Sequence, residues 1–261
     1  MSAVDMRFEG GSIPSTYDTY LGPVSFTPYA KLLVQHCDLA ALPAKTVLEV
    51  GCGTGRLTSE LLLVLPTASI TATDISEGMM QVAKSRISSP SVVWKQADLM
   101  SIPFADASFD LVVSSFTYML VSDFGKAFAE ARRVLQPSGS FVFSVWDKSP
   151  FFDVLTQTIV EYLPEEAAAK VRAMGAVPYT LNDTSHTTAL LTSAGFAEVK
   201  CHHAGIVTTD IPSLTRGLLY GTPFAAPFGE DQAAMAACYA KIQERMGSAV
   251  ESSALFYHAT A

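Results

Sequence analysis

Lys45–Val50 (KTVLEV) is a short apolar run rich in β-branched residues; Gly51-Cys52-Gly53-Thr54-Gly55 interrupts it, and apolar residues return at helical spacing over Leu57–Leu65. Val and Thr in so short a run favour a strand, and the closely spaced glycines favour a tight turn. A strand that turns directly into a helix cannot pair as a hairpin with its successor. The next strand has to come back parallel to it, which commits the chain to a layered α/β fold.

The cycle then repeats. Ser69–Thr73 reads as a second strand and Ser76–Arg86 as its helix, with Ser76 at the N-cap. Val92–Lys95 is a third strand and Phe109–Ser114 a fourth. A helix comes next over Gly125–Leu135, with Glu130 set against Arg133, and Ser140–Trp146 is a fifth strand after the turn Pro137-Ser138-Gly139. The expected architecture is a doubly wound, mostly parallel sheet with helices on both faces. The glycines and prolines of residues 1–43 predict an irregular N-terminal arm, helical only from Pro28 to about Cys37. After Trp146, helical pieces are expected at 150–163, 164–174, 185–194, 212–219 and 230–246, with strands at 197–207 and 255–259. One domain over 44–261 is therefore expected, with 148–195 and 208–250 as helical insertions that cap a substrate.

Composition narrows the function. Hydrophobic residues make up 49% of the chain and charged residues only 16%, against roughly 25% charged in ordinary soluble domains, so apolar side chains line something beyond the core. No apolar run approaches the ~20 residues of a membrane span. The net charge of −8 argues against a nucleic-acid partner. Met1–Gly10 lacks the apolar stretch of an export leader, and Cys37, Cys52, Cys201 and Cys238 lack metal-binding spacing. The expectation is a reduced, cytoplasmic protein, monomer or homodimer, with no metal and no membrane association.

The glycine turn places backbone N–H groups and a helix N-terminus at the carboxyl end of the first strand, where open α/β sheets bind ligands. A dinucleotide fingerprint needs glycine or alanine where Arg56 or Thr58 stands, and the GK[ST] of a P-loop is missing. Asp74 closes the second strand and Asp98 comes just after the third. A carboxylate at the first of these suits a ribose diol, and one at the second suits an exocyclic adenine amine.

With these pieces in place, VLEVGCGTGRLT, TATDISEGMM, QADLMSIPFADASFDLVVSS and RRVLQPSGSFVFSVWD, spanning residues 45–147, together resemble the class I S-adenosylmethionine-dependent methyltransferases. Within these, the chain is similar to the small-molecule group that includes the ubiquinone/menaquinone-biosynthesis type. The resemblance implies a seven-stranded Rossmann-like sheet closed by an antiparallel hairpin whose last strand inserts centrally. It implies that S-adenosyl-L-methionine is the cofactor, with Gly51, Gly53 and Gly55 flanking its methionine part and Glu49 ordering that loop. Asp74 would take the ribose, Ile75 and Met79 the adenine faces, Ala97, Asp98 and Leu99 the adenine edge, and Ser114 would lie near the sulfonium. Tyr17-Asp18-x-Tyr20-Leu21-Gly22-Pro23 and Phe26 resemble the group's lid, with Tyr20 its expected cofactor contact. Ser138 departs from the family's second glycine in its turn.

Ser115, Phe116, Tyr118 and Trp146 are expected to face the methyl acceptor. Phe151, Phe152, Tyr162, Tyr179, Leu218, Leu219, Tyr220, Phe224 and Phe228 offer the apolar wall for a small, largely apolar metabolite. None of the five histidines, His36, His186, His202, His203 and His258, stands out as a general base. Two further readings remain: a cofactor-binding member without turnover, and a nicotinamide-dependent oxidoreductase.

Overall fold

A computed structural model describes residues 8–261; the first seven residues of the expected arm lie outside it. The strands are β1 Thr46–Val50, β2 Ser69–Asp74, β3 Val92–Gln96, β4 Phe109–Ser115, β5 Leu135–Lys148, β6 Ala197–Thr208 and β7 Val250–Thr260. They form one sheet in the order β3-β2-β1-β4-β5-β7-β6. The first five strands run parallel, and β7 lies antiparallel to both β5 and β6, so the sheet is mixed. The late hairpin and central insertion of the last strand agree with the expected topology.

The helices are α1 Ile13–Thr16, α2 Thr27–His36, α3 Arg56–Val64, α4 Glu77–Arg86, α5 Phe124–Val134, α6 Pro150–Ile159, α7 Glu165–Ala176, α8 Thr184–Ser193, α9 Ile211–Tyr220 and α10 Gln232–Met246. Burial on both faces explains the near-continuous apolar character of the central strands: Val47, Leu48, Leu111, Val112 and Val113 are fully buried. β7 is equally interior, with Ala254, Phe256, Tyr257 and Ala259 at 0% exposure. Tyr257 stacks on Phe143 of β5 with ring centres 4.9 Å apart, which ties the antiparallel strand into the core. Local signals agree with this frame. The Ser76 hydroxyl accepts from the Met79 N–H at 3.2 Å, capping α4 as expected. Ser138 holds φ +65°, the left-handed conformation that glycine adopts without a Cβ penalty.

The arm departs from expectation. Residues 13–36 are continuously helical, with a π-helical stretch, Tyr17–Phe26, between α1 and α2. Its punctuation residues serve the helix. Pro14 and Pro28 sit in first turns, where a missing N–H costs no helical bond. Gly22 allows close contact, because a Cβ there would strike the Arg56 guanidinium. On the opposite side Gly217 of α9 admits Leu21 in the same way. The arm is thereby wedged between α9 and the start of α3.

Candidate functional site

The carboxyl ends of β1, β2 and β4 open onto one cavity of about 470 Å³, within the usual range for small-molecule sites. Its polar end is built by Gly51, Gly53, Asp74, Ser76, Ala97 and Asp98. Gly51 and Gly53 have φ of +70° and +53°, and a Cβ on Gly51 would collide with Thr117. Only glycine gives this turn both its handedness and its close approach. Asp74 organises the turn, its two carboxylate oxygens accepting from the Gly53 N–H at 2.7 Å and the Ser76 N–H at 2.9 Å. Burial raises its pKa, opposed by these backbone donors. Each oxygen keeps a further lone pair for a ligand hydroxyl. Ile75 is 45% exposed beside the cavity, and Met79 lines it from α4. The Asp98 carboxylate accepts from the Met100 N–H at 2.8 Å.

Glu49 lies behind the glycine turn, 1% exposed. Oε2 accepts from the Thr58 hydroxyl at 2.6 Å, and Oε1 has no partner among the described residues. Burial pushes its pKa up to about 8, and the neighbouring Asp74 adds to the rise. Together with Gly51, Gly53 and Ser115, it borders a small adjoining hollow of about 40 Å³. A buried carboxyl with a free oxygen next to such a hollow suits a cationic ligand group.

The arm closes over this end. Asp18 accepts from Arg56 Nε at 3.0 Å and from Arg86 at 3.1 Å, and Arg86 also donates to the Thr54 carbonyl at 2.7 Å. These bonds fasten the π-helical stretch to the glycine turn. Tyr17 lines the cavity and stacks on Phe26 with ring centres 4.7 Å apart. Its phenol pKa is raised well above the usual value by burial, with Asp74 adding to the rise.

The other end is aromatic and apolar. Phe116 and Trp146 stack 4.1 Å apart, and Phe26 meets both rings edge-on. Phe152, Pro178, Leu218 and Phe224 from the two helical insertions complete the wall. Phe116 holds φ +54°, an uncommon conformation for a bulky side chain.

The structure thus brings together on the cavity wall Gly51, Gly53, Asp74, Ile75, Met79, Ala97, Asp98, Leu99, Ser115 and Trp146. Several other expected residues lie elsewhere. Tyr118 is a correction: it is fully buried behind the site, parallel to Phe128 at 5.4 Å and edge-on to Phe141 at 5.0 Å. A 3₁₀ turn after β4 points it into the core. Tyr20 stays off the cavity, with the Arg216 guanidinium 5.4 Å from its ring. Ser114 donates to the Val50 carbonyl at 2.7 Å and ties β4 to β1. Gly55 starts α3 at φ +79°, where a Cβ would crowd Ile87. Of the apolar residues expected at the wall, Phe152, Leu218 and Phe224 reach it, while Phe151, Leu219 and Phe228 are buried outside it and Tyr162, Tyr179 and Tyr220 also lie off it. Among the described residues, no histidine lines the cavity. Thr117 and Met119 line the cavity without any signal in the sequence, and Leu21 and Tyr17 of the lid motif line it in place of the expected Tyr20.

Residues 48–143 match the family described as a methyltransferase domain. The chain is 32% identical over 187 residues to a malonyl-[acyl-carrier protein] O-methyltransferase of Geobacter sulfurreducens, covering 67% of this chain and 65% of that one. It is 29% identical over 199 residues to a demethylmenaquinone methyltransferase of Clavibacter sepedonicus, covering 72% and 79%. The matched part spans 38% to 65% of the first malonyl-carrier relatives' own length. In three dimensions it is similar to phosphoethanolamine N-methyltransferase 2 of Haemonchus contortus in complex with S-adenosyl-L-methionine, with a TM-score of 0.61, 16% identity, and coverage of 95% and 56%. That likeness extends to the fold. No helix among the described residues is long and apolar enough to cross a membrane.

Proposed function

We propose that this chain, whose residues 48–143 match the methyltransferase-domain family, is an S-adenosyl-L-methionine-dependent methyltransferase acting on a small, largely apolar metabolite. The observation that carries this reading is one cavity joining the glycine-and-carboxylate end to the aromatic end. The residues present fit the cofactor. Gly51 and Gly53 keep backbone free of side chains at the turn, Asp74 has lone pairs free for a ribose, and Ile75 offers an exposed apolar surface to a base. The unpartnered Oε1 of buried Glu49 fits the ammonium of the methionine part. The arm over residues 8–26 serves as the lid, fastened through Asp18.

When bound, S-adenosylmethionine supplies a methyl group already activated on a sulfonium. The chain's own residues contribute alignment and exclusion of water. Phe116 and Trp146 hold the acceptor against the carboxyl end of β4. Phe26, stacked beside Tyr17, turns aromatic surface toward the same space, where a cation gains attraction of about 0.5–2 kcal/mol. No step assigns proton removal to a histidine, because none among the described residues lines the cavity. The acceptor's proton is released to solvent as the product leaves.

Calorimetry with S-adenosylhomocysteine, with NAD as control, and then a methyl-release assay on fractionated metabolites, test the reading. It expects micromolar binding of the first, none of NAD, and methyl transfer into an apolar fraction. Binding of NAD alone overturns the reading, and cofactor binding without transfer to any fraction leaves a binding protein in place of an enzyme.

A further inference from the structure

We infer that the acceptor end of this site selects an uncharged acceptor held against the rigid Phe116–Trp146 wall and rejects a carboxylate such as a malonyl group carries. The inference rests on the proposed methyltransferase reading and deepens it by fixing the charge and shape of the acceptor.

Charge is the first argument. Among the described residues, no Lys, Arg or His lines the cavity, and its two ionisable carboxylates, Asp74 and Asp98, stand at the opposite end. A carboxylate entering here would lose its hydration and gain no cationic partner from the protein. The hydroxyls are the second argument. Ser115 pairs with Ser144 at 3.2 Å. The Thr117 hydroxyl is directed to the Ser115 carbonyl at 3.2 Å. The Thr222 hydroxyl donates to the Leu218 carbonyl at 2.5 Å and accepts from the Phe224 N–H at 3.3 Å. The Thr117 and Thr222 hydroxyl protons are thus directed to backbone carbonyls, and one proton of the Ser115–Ser144 pair is held within it.

Shape is the third argument. Phe116 and Trp146 lie 4.1 Å apart and only 23° from parallel. Trp146 is pinned edge-on by Tyr29 at 5.0 Å, Phe151 at 5.3 Å and Phe152 at 5.7 Å. With Phe116 5% and Trp146 1% exposed, so rigid an aromatic pair presents a wall of fixed shape and gives little to a flexible acyl chain. Trp146 and Phe116 are on this account the residues that set specificity.

The test uses two probes with the same ring and different charge, 2-naphthol and 2-naphthoate. Each is titrated into the full chain saturated with S-adenosylhomocysteine, in a Trp94→Phe background so that fluorescence reports Trp146 alone. The expected result is quenching by naphthol at an affinity about a hundredfold above that for naphthoate. Leu218→Arg, which places a cation on the wall, should reverse the order, and Trp146→Leu should weaken binding of both probes measured by calorimetry while leaving naphthol preferred. Naphthoate binding within about threefold of naphthol, or no naphthol binding at all, overturns the inference. Unchanged S-adenosylhomocysteine affinity in each variant separates that failure from a failure of the cofactor reading.

Discussion

Replacing Glu49 with glutamine tests the central electrostatic feature of the site without any ligand. Glu49 is fully enclosed, and its pKa stands at about 8 against 4.5 for an exposed glutamate. The native state therefore holds a proton that the unfolded chain releases. For a raised carboxyl, the stabilising contribution is complete below the unfolded pKa and is lost as pH rises through the folded one. Between about pH 5.5 and 7.5 the native form stays largely protonated while the unfolded form is almost wholly ionised. Integrating that difference gives a loss of about 2.5 kcal/mol attributable to this residue. The amide in Glu49→Gln carries no titrating proton and keeps a carbonyl for the Thr58 hydroxyl, so the variant lacks this slope. Urea unfolding of both proteins at about pH 5.5, 6.5 and 7.5 isolates the effect, because all other titrating groups cancel in the difference. The variant should gain about 2–3 kcal/mol on the parent across that range. Parallel stability curves would refute the assignment of a protonated Glu49.

Three further perturbations draw on the same geometry. Asp74→Ala removes the carboxylate that binds the Gly53 and Ser76 N–H groups, and S-adenosylhomocysteine affinity should fall by about 1–3 kcal/mol in calorimetry; unchanged affinity contradicts its ribose role. Tyr118→Phe deletes a buried hydroxyl without a partner among the described residues, so the variant should gain about 1 kcal/mol, raising Tm by about 2–4 °C with methyl transfer unchanged; lost transfer at full stability would return Tyr118 to the site. Deleting residues 252–261 removes most of β7 from between β5 and β6, and circular dichroism should show no cooperative unfolding; a folded, cofactor-binding truncation contradicts the topology.

The parallel half of the sheet is legible in the sequence because strands there combine β-branched residues with a glycine or N-cap signal at their ends, as Val50–Gly51 and Asp74–Ser76 do. The arm is not, for a physical reason. Pro14, Gly22 and Pro28 signal chain breaks locally, yet first-turn positions for the prolines and close packing of Gly22 against Arg56 accommodate them within a helix, and Pro23 falls inside the π-helical stretch. Tyr118 escapes sequence reasoning because position after β4 does not specify direction: the 3₁₀ turn at Tyr118–Leu120 sends the ring behind the sheet, toward Phe128, while Phe116 two residues earlier lines the cavity. Tyr17 and Tyr20 share one motif, and only the wide π-helical turn decides which ring faces inward. Leu218 and Phe224 come from distant segments whose convergence depends on the tertiary packing of α9 against the arm.

A crystal structure of the chain with S-adenosylhomocysteine and 2-naphthol would show whether one cavity holds both the nucleoside and the acceptor. Nucleoside density is expected between Gly53, Asp74 and Asp98, amino-acid density against Glu49, and the naphthol ring against the Phe116–Trp146 wall in the same cavity. Nucleoside density elsewhere, or a naphthol ring outside the Phe116–Trp146 wall, would contradict it.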